Sequence, residues 1–154
     1  MTHTHVQCQC GANRYRLTGK PVCRFICHCQ ICQAYTGAAS SDVMVVLARD
    51  VHVDDISQTR FKRWRMPPNI RRGTCRQCNK PVIEFGAANQ LAFVPVPNVQ
   101  EQDALPPTDL HLFYNRRCAE VADELPKLSG YIRSNAGLMR LIGERLVARL
   151  SLLG

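Results

Sequence analysis

The sequence contains no apolar run approaching the roughly 18–20 residues that span a bilayer, so a transmembrane helix is not expected. Its first residues, "MTHTHVQCQCGANRYRL", have no apolar core of signal-peptide length, and secretion is not indicated. No internal repeat and no low-complexity tract interrupts the 154 residues, which argues against a solenoid or a linker array and favours a single modest core. Acidic residues are scarce, 12 against 20 lysines and arginines, leaving a formal charge of +8. Tryptophan occurs once, at position 64.

Cysteine, by contrast, is abundant at nine residues. A closed disulfide framework leaves no thiol over, and the count is odd. Without a secretory signal, a reducing and cytoplasmic setting is expected, where clustered cysteines more often hold metal than pair. A redox Cys-x-x-Cys would want a thioredoxin-like βαβ context, which the proline-punctuated pattern does not supply.

The basic excess concentrates in "RFKRWRMPPNIRR", from Arg60 to Arg72. A solvated face is the first reading of this stretch, and an anion-binding surface the competing one. One tryptophan among arginines is thin support for base stacking, so nucleic acid stands second to a small-molecule partner.

Pattern divides the chain unevenly. Over the first ninety-odd residues, β-branched runs such as "SDVMVVLARD", "VHVDD", "PVIEF" and "LAFVPVP" alternate with turn residues and predict mainly β-structure. "VQCQC" reads as a strand, with Cys8 and Cys10 leaving one face. Pro67-Pro68, Pro95, Pro97 and Pro106-Pro107 argue against long helices between them. In "SNAGLMRLIGERLVARLSLLG", Leu138, Ile142, Leu146, Leu150 and Leu153 fall near helical spacing, predicting a C-terminal amphipathic helix capped by Ser134 or Asn135. The expected division is a zinc-binding β domain over residues 1–131 and a helical extension over 132–154. That helix would pack on its own domain or make a homodimer.

Spacing sorts the cysteines. Cys8 and Cys10 form C-x-C, and Cys75 and Cys78 form C-x-x-C; together they supply the four thiolates of a closed structural zinc site. Cys27, Cys29 and Cys32 offer three thiolates for one ion and an open fourth position, the arrangement of a catalytic zinc. His28 would point away from such an ion if Cys27 and Cys29 share a face. Cys23 could close the second site to four sulfurs, but a small buried apolar role is preferred for it and for Cys118. His3 and His5 read as disordered terminal residues, and His111 as a satisfied polar residue on a strand.

"CQCGANRYRL", "CHCQICQAYTGAA" and "RGTCRQCNKPV" together resemble the glutathione-dependent formaldehyde-activating enzyme family, which includes the centromere protein V group. The resemblance spans roughly residues 6 to 131, with "HLFYNRRCAEVADELPKLSGY" similar to the family's C-terminal stretch. It implies an Mss4-like β fold and two zincs per chain. Cys8, Cys10, Cys75 and Cys78 match the structural site, and Cys27, Cys29 and Cys32 the catalytic one. The implied activity is that of a carbon–sulfur lyase adding glutathione to formaldehyde to give S-hydroxymethylglutathione, with a small-molecule thiol and aldehyde as partners. Arg71 and Arg72, beside Cys75, are candidates for holding anionic glutathione. Where the family continues with Gly after the second pair, this chain has Asn79, the next best residue for a left-handed turn. A zinc-stabilised binding module that uses the Arg-rich segment is the alternative function.

Overall fold

The computed structural model describes residues 3–65 and 70–154; Pro67 and Pro68 lie outside the described residues. In chain order the first strands are β1 (Thr4–Gln7), β2 (Arg14–Leu17), β3 (Cys23–Cys27), β4 (Ser41–Leu47) and β5 (Val51–Val53). They are followed by β6 (Thr59–Arg63), β7 (Arg71–Cys75), β8 (Pro81–Gly86), β9 (Leu91–Pro95) and β10 (Leu110–Leu112). The described residues also form two α-helices, α1 (Gln30–Thr36) and α2 (Tyr131–Ser151), and several short 3-10 turns. The fold is mainly β, and the chain forms two units, residues 1–21 with 43–105 and residues 22–42 with 106–154.

In the first unit β1, β2 and β5 make an antiparallel sheet, with Val6 opposite Tyr15 and Tyr15 opposite Val53. A second antiparallel run has the order β4-β9-β8-β7-β6. Its inner strands read as near-continuous apolar segments: every residue of β9 is buried, as are four in succession in β4. Strands covered on both faces have that composition, whereas half-exposed ones alternate. β6 ends the run and carries Arg60, Lys62 and Arg63 outward. Charges on a terminal strand discourage edge-to-edge pairing with another chain, and this accounts for much of the Arg-rich segment. Val6, Tyr15, Leu17, Met44, Val46, Val82, Ile83 and Val94 form the core, with Cys8 and Cys75 embedded in it. Tyr15 donates its hydroxyl to the Val82 carbonyl at 2.8 Å, satisfying the one polar atom this ring buries.

In the second unit β3 and β10 pair in parallel, placing Leu112 opposite Cys27 and His111 opposite Ile26. α2 packs on both strands and buries Ile142. It starts earlier than its sequence suggests. Gly130 precedes its first residue with a positive φ of 83°, and neither Ser134 nor Asn135 caps it. Ser134 is instead buried in the first turns. Its hydroxyl accepts from the Phe113 amide at 2.9 Å and donates to the Leu128 carbonyl at 3.3 Å, tying the helix to the segment after β10. Further along, Arg145 donates to Asp109 at 2.6 Å, and the same carboxylate accepts from the Arg24 amide at 3.0 Å. Arg24 also forks onto Asp42, with contacts of 2.9 and 2.7 Å. The outer face of α2 leaves Ile132, Met139, Val147 and Leu150 exposed.

His5 departs from expectation. It is ordered in β1, its amide donating to Glu101 at 2.8 Å and its ring lying 2.7 Å from the same carboxylate.

Candidate metal centres

The first unit gathers Cys8, Cys10, Cys75 and Cys78, whose sulfurs all lie within 4.8 Å of one another. The expected strand through Cys8 and Cys10 is not what joins them, because β1 stops at Gln7. A turn does so: the Gly11 amide donates to the Cys8 carbonyl at 2.9 Å, and Gly11 takes a φ of 77°. Side chains then converge because the chain curls around them. The second pair repeats this device. Cys75 ends β7, Cys78 lies in the following turn, and the Asn79 amide closes it onto the Cys75 carbonyl at 3.0 Å with φ 60°. Asn79 therefore supplies the left-handed turn conformation after the second pair.

Backbone amides aim at these sulfurs. Asn13 donates to Cys8 at 3.3 Å, and Gln77 and Cys78 donate to Cys75 at 3.3 and 3.5 Å. Asn13, overlooked in the sequence, is buried and held by Thr59, which donates to its carbonyl oxygen at 2.6 Å. Burial raises the Cys75 thiol, but the amides of Cys78 and Gln77 outweigh it and bring the group down to about 6. Cys10 goes the other way. The Ala12 amide lowers it, yet desolvation and the neighbouring sulfurs carry it up to about 11. Crowded thiols cannot all ionise together without a cation, and amides aimed at sulfur favour the thiolate form.

The second unit gathers Cys27, Cys29 and Cys32 within the same 4.8 Å limit. Cys27 is the last residue of β3. Cys29 caps α1, its sulfur accepting from the Cys32 amide at 3.3 Å, and Cys32 falls in the first turn of that helix. Positions three apart at a helix start are neighbours, so one turn brings the two sulfurs together. This helix interrupts the expected β-pattern; Gly37, at φ 68°, ends it. The thiol of Cys27 is pushed up by the neighbouring Cys29 sulfur and by burial. His28 turns away from the sulfurs, its Nε2 lying 2.9 Å from His111 Nδ1.

Cys23 stands outside this group. It begins β3, and four residues of strand separate its Cα from that of Cys27 by about 13 Å. Burial, then the Asp109 carboxylate, push its thiol up to about 12, so it is a neutral apolar side chain. Cys118 was expected to be buried and is exposed. It lies in the loop after Arg117, its thiol donating weakly to Gln33 at 3.5 Å.

Of the arginines beside Cys75, Arg72 is buried and ion-paired with Glu84 at 3.0 Å. Arg71 lies over the rings of Phe61 and Phe85, 5.1 and 5.7 Å from their centroids, and donates to Asn89 at 3.0 Å. Trp64 is part-exposed, with the Lys62 ammonium 5.0 Å from its ring.

Both clusters fit a soft divalent cation: a four-sulfur set suits a closed tetrahedral site, and a three-sulfur set leaves a position free. The profile of the glutathione-dependent formaldehyde-activating enzyme family matches residues 3–116. The chain belongs to this family. The match ends inside the "HLFYNRRCAEVADELPKLSGY" stretch, leaving α2 beyond it. Among solved structures, the chain is similar to a crystal structure of a Rhodobacter sphaeroides protein from a structural genomics programme. That likeness has 17% identity, a TM-score of 0.51, and coverage of 67% of this chain and 91% of the other; at that identity it speaks for the fold alone. No curated protein matches the chain. Membership supports a formaldehyde-activating, lyase-type role at the level of the family. No described helix is long and apolar enough to cross a membrane.

Proposed function

We propose that the chain is a zinc-dependent carbon–sulfur lyase that adds a thiol, glutathione by family, to formaldehyde or a related small aldehyde. The observation that carries this reading is that the chain holds both a three-thiol group, Cys27, Cys29 and Cys32, and a separate four-thiol group. One supplies a site with room for a substrate, the other a staple for the fold. Zinc bound by the three thiolates would lower the pKa of a substrate thiol at the free position and make its thiolate available near neutral pH.

The chain's own part is to hold and to orient. Cys27 and Cys32 are buried and Cys29 half-buried, so a substrate sulfur approaches from the Cys29 side. In the addition, the substrate S–H bond breaks and a carbon–sulfur bond forms at the aldehyde carbon. The carbonyl π electrons move to oxygen, which takes up a proton, so no oxidant or reductant is consumed. Fixing thiol and aldehyde together makes the step effectively intramolecular. The positive net charge suits anionic glutathione. Of the two candidate arginines Arg72 already serves Glu84, which leaves Arg71 as the candidate. No disulfide joins any of the nine cysteines, which suits a reducing, cytoplasmic setting.

The test is a panel of thiols with formaldehyde and small aldehydes, followed by loss of free thiol. Turnover lost in Cys29→Ser supports the reading. Absence of turnover with every thiol, together with salt-sensitive DNA binding, would favour the binding-module alternative.

A further inference from the structure

A line of hydrogen bonds runs from the loop after β10 to the residue between two of the three clustered cysteines. Asp123 Oδ2 lies 2.7 Å from His111 Nε2, and His111 Nδ1 lies 2.9 Å from His28 Nε2. His111 is 0% exposed and His28 4%. Their rings stack with centroids 5.2 Å apart, and Tyr114 sets its edge against both. Lys127 holds the other carboxylate oxygen of Asp123 at 2.7 Å.

Donors and acceptors along such a line must alternate. An ionised carboxylate only accepts, so His111 donates from Nε2. In the neutral ring His111 Nδ1 is then an acceptor, and the proton between the two rings belongs to His28 Nε2. The tautomer of His28 is thus set from the far end, by Asp123.

His28 occupies the position between Cys27 and Cys29, so whatever fixes it fixes the peptide units from which both sulfurs project. Its amide donates to the Leu112 carbonyl at 3.0 Å, and its carbonyl accepts from Gln33 Nε2 at 2.7 Å. The ring bond to His111 is the tether that turns the side chain inward and leaves the sulfurs on the other side. The β3–β10 register serves the same end, pairing Leu112 with Cys27 and so placing His111 one residue away.

We infer that His111 and Asp123 are positioning residues for the three-cysteine centre, holding His28 in one tautomer and one rotamer so that Cys27 and Cys29 are preset as ligands. This rests on the reading of that cluster as a metal centre, and not on the identity of its substrate. Outer hydrogen-bonded partners of a metal site typically contribute about 10–100-fold in metal affinity.

The experiment compares wild type with His111→Phe, His111→Asn and Asp123→Asn, titrating Zn2+ against a competing chromophoric chelator. Melting curves for each variant report whether the fold survives. His111→Phe removes both ring bonds at similar size and should weaken the three-cysteine site about 10–100-fold, leaving the four-cysteine site unchanged. His111→Asn keeps an acceptor for His28 Nε2–H and should recover most of that loss. The spectroscopic readout is imidazole 15N shifts on the reduced, metal-free wild type: both His28 and His111 should carry their proton on Nε2. In Asp123→Asn, whose amide can donate, the opposite tautomers should appear. Equal affinity in wild type and His111→Phe, or His28 protonated on Nδ1 in the wild type, overturns the inference. A wild type that takes up no metal at Cys27, Cys29 and Cys32 overturns the metal reading of that cluster as well, which separates the two failures.

Discussion

Replacing Cys75 by serine removes one ligand from the four-sulfur group and leaves the three-sulfur group intact. Cys75 is 0% exposed, and its sulfur stands 3.6 Å from that of Cys10, across 65 residues of chain. A metal shared by these two segments closes a loop of that length. The chain-entropy relation for a cross-link closing about 65 residues gives roughly 4 kcal/mol at 25 °C. Against the 5–15 kcal/mol typical of a whole domain, that loss leaves a marginal fold. In a thermal scan it corresponds to a drop of about 8–16 °C for a chain of this size. The assay is urea unfolding of reduced protein with metal content measured on the same samples. Cys75→Ser should lose one zinc and about 4 kcal/mol, while a strong chelator should bring the wild type to the same stability. A variant within 1 kcal/mol of wild type would refute the staple, and would mean that the core around Cys8 and Cys75 holds without metal.

The remaining expectations concern single side chains. Cys29→Ser should lose one zinc while unfolding cooperatively near the wild-type midpoint, and Cys23→Ser should keep both; loss of zinc in Cys23→Ser would make the cluster a closed four-sulfur site. Asp123 is held at about 2, below its ordinary value near 3.8, by Lys127 first and His111 second. A depressed carboxylate stabilises the fold fully above about pH 4, and that contribution is lost as pH falls through about 2. The stability gap between wild type and Asp123→Asn should therefore close over that window, and a gap independent of pH would contradict the assignment. Met139 is exposed on α2, so in a homodimer formed through that helix it should matter only between copies. Met139→Glu should reduce self-association in sedimentation without moving the melting temperature, and identical sedimentation of the two proteins would remove the homodimer.

The grouping of the cysteines was legible because residues that could hold a metal follow short local spacings. C-x-C, C-x-x-C and C-x-C-x-x-C each require only a turn, and the turn residues Gly11, Asn79 and Gly37 stand beside them. The geometry was less legible than the grouping. Cys8 and Cys10 meet around a turn after β1 instead of on a strand, and Cys29 with Cys32 through a seven-residue helix too short to show periodicity. The relay was invisible for a different reason. His28 and His111 are 83 residues apart, and the parallel pairing of β3 with β10 is what aligns them. A histidine flanked by two clustered cysteines was the one available signal that something must hold that residue from behind. The C-terminal helix was found by its period, but its start was misplaced, because Ser134 looks like a cap and acts as a buried tether. Cys118 was misjudged because a lone cysteine carries no positional signal, and its loop leaves it in solvent.

The most direct test is zinc per chain on freshly purified, reduced protein, followed by titration with glutathione while the metal environment is monitored. Two zincs, one of them perturbed or displaced by glutathione and lost in Cys29→Ser, is the predicted result. Two zincs indifferent to every thiol, or one zinc alone, would contradict a thiol-activating centre at Cys27, Cys29 and Cys32.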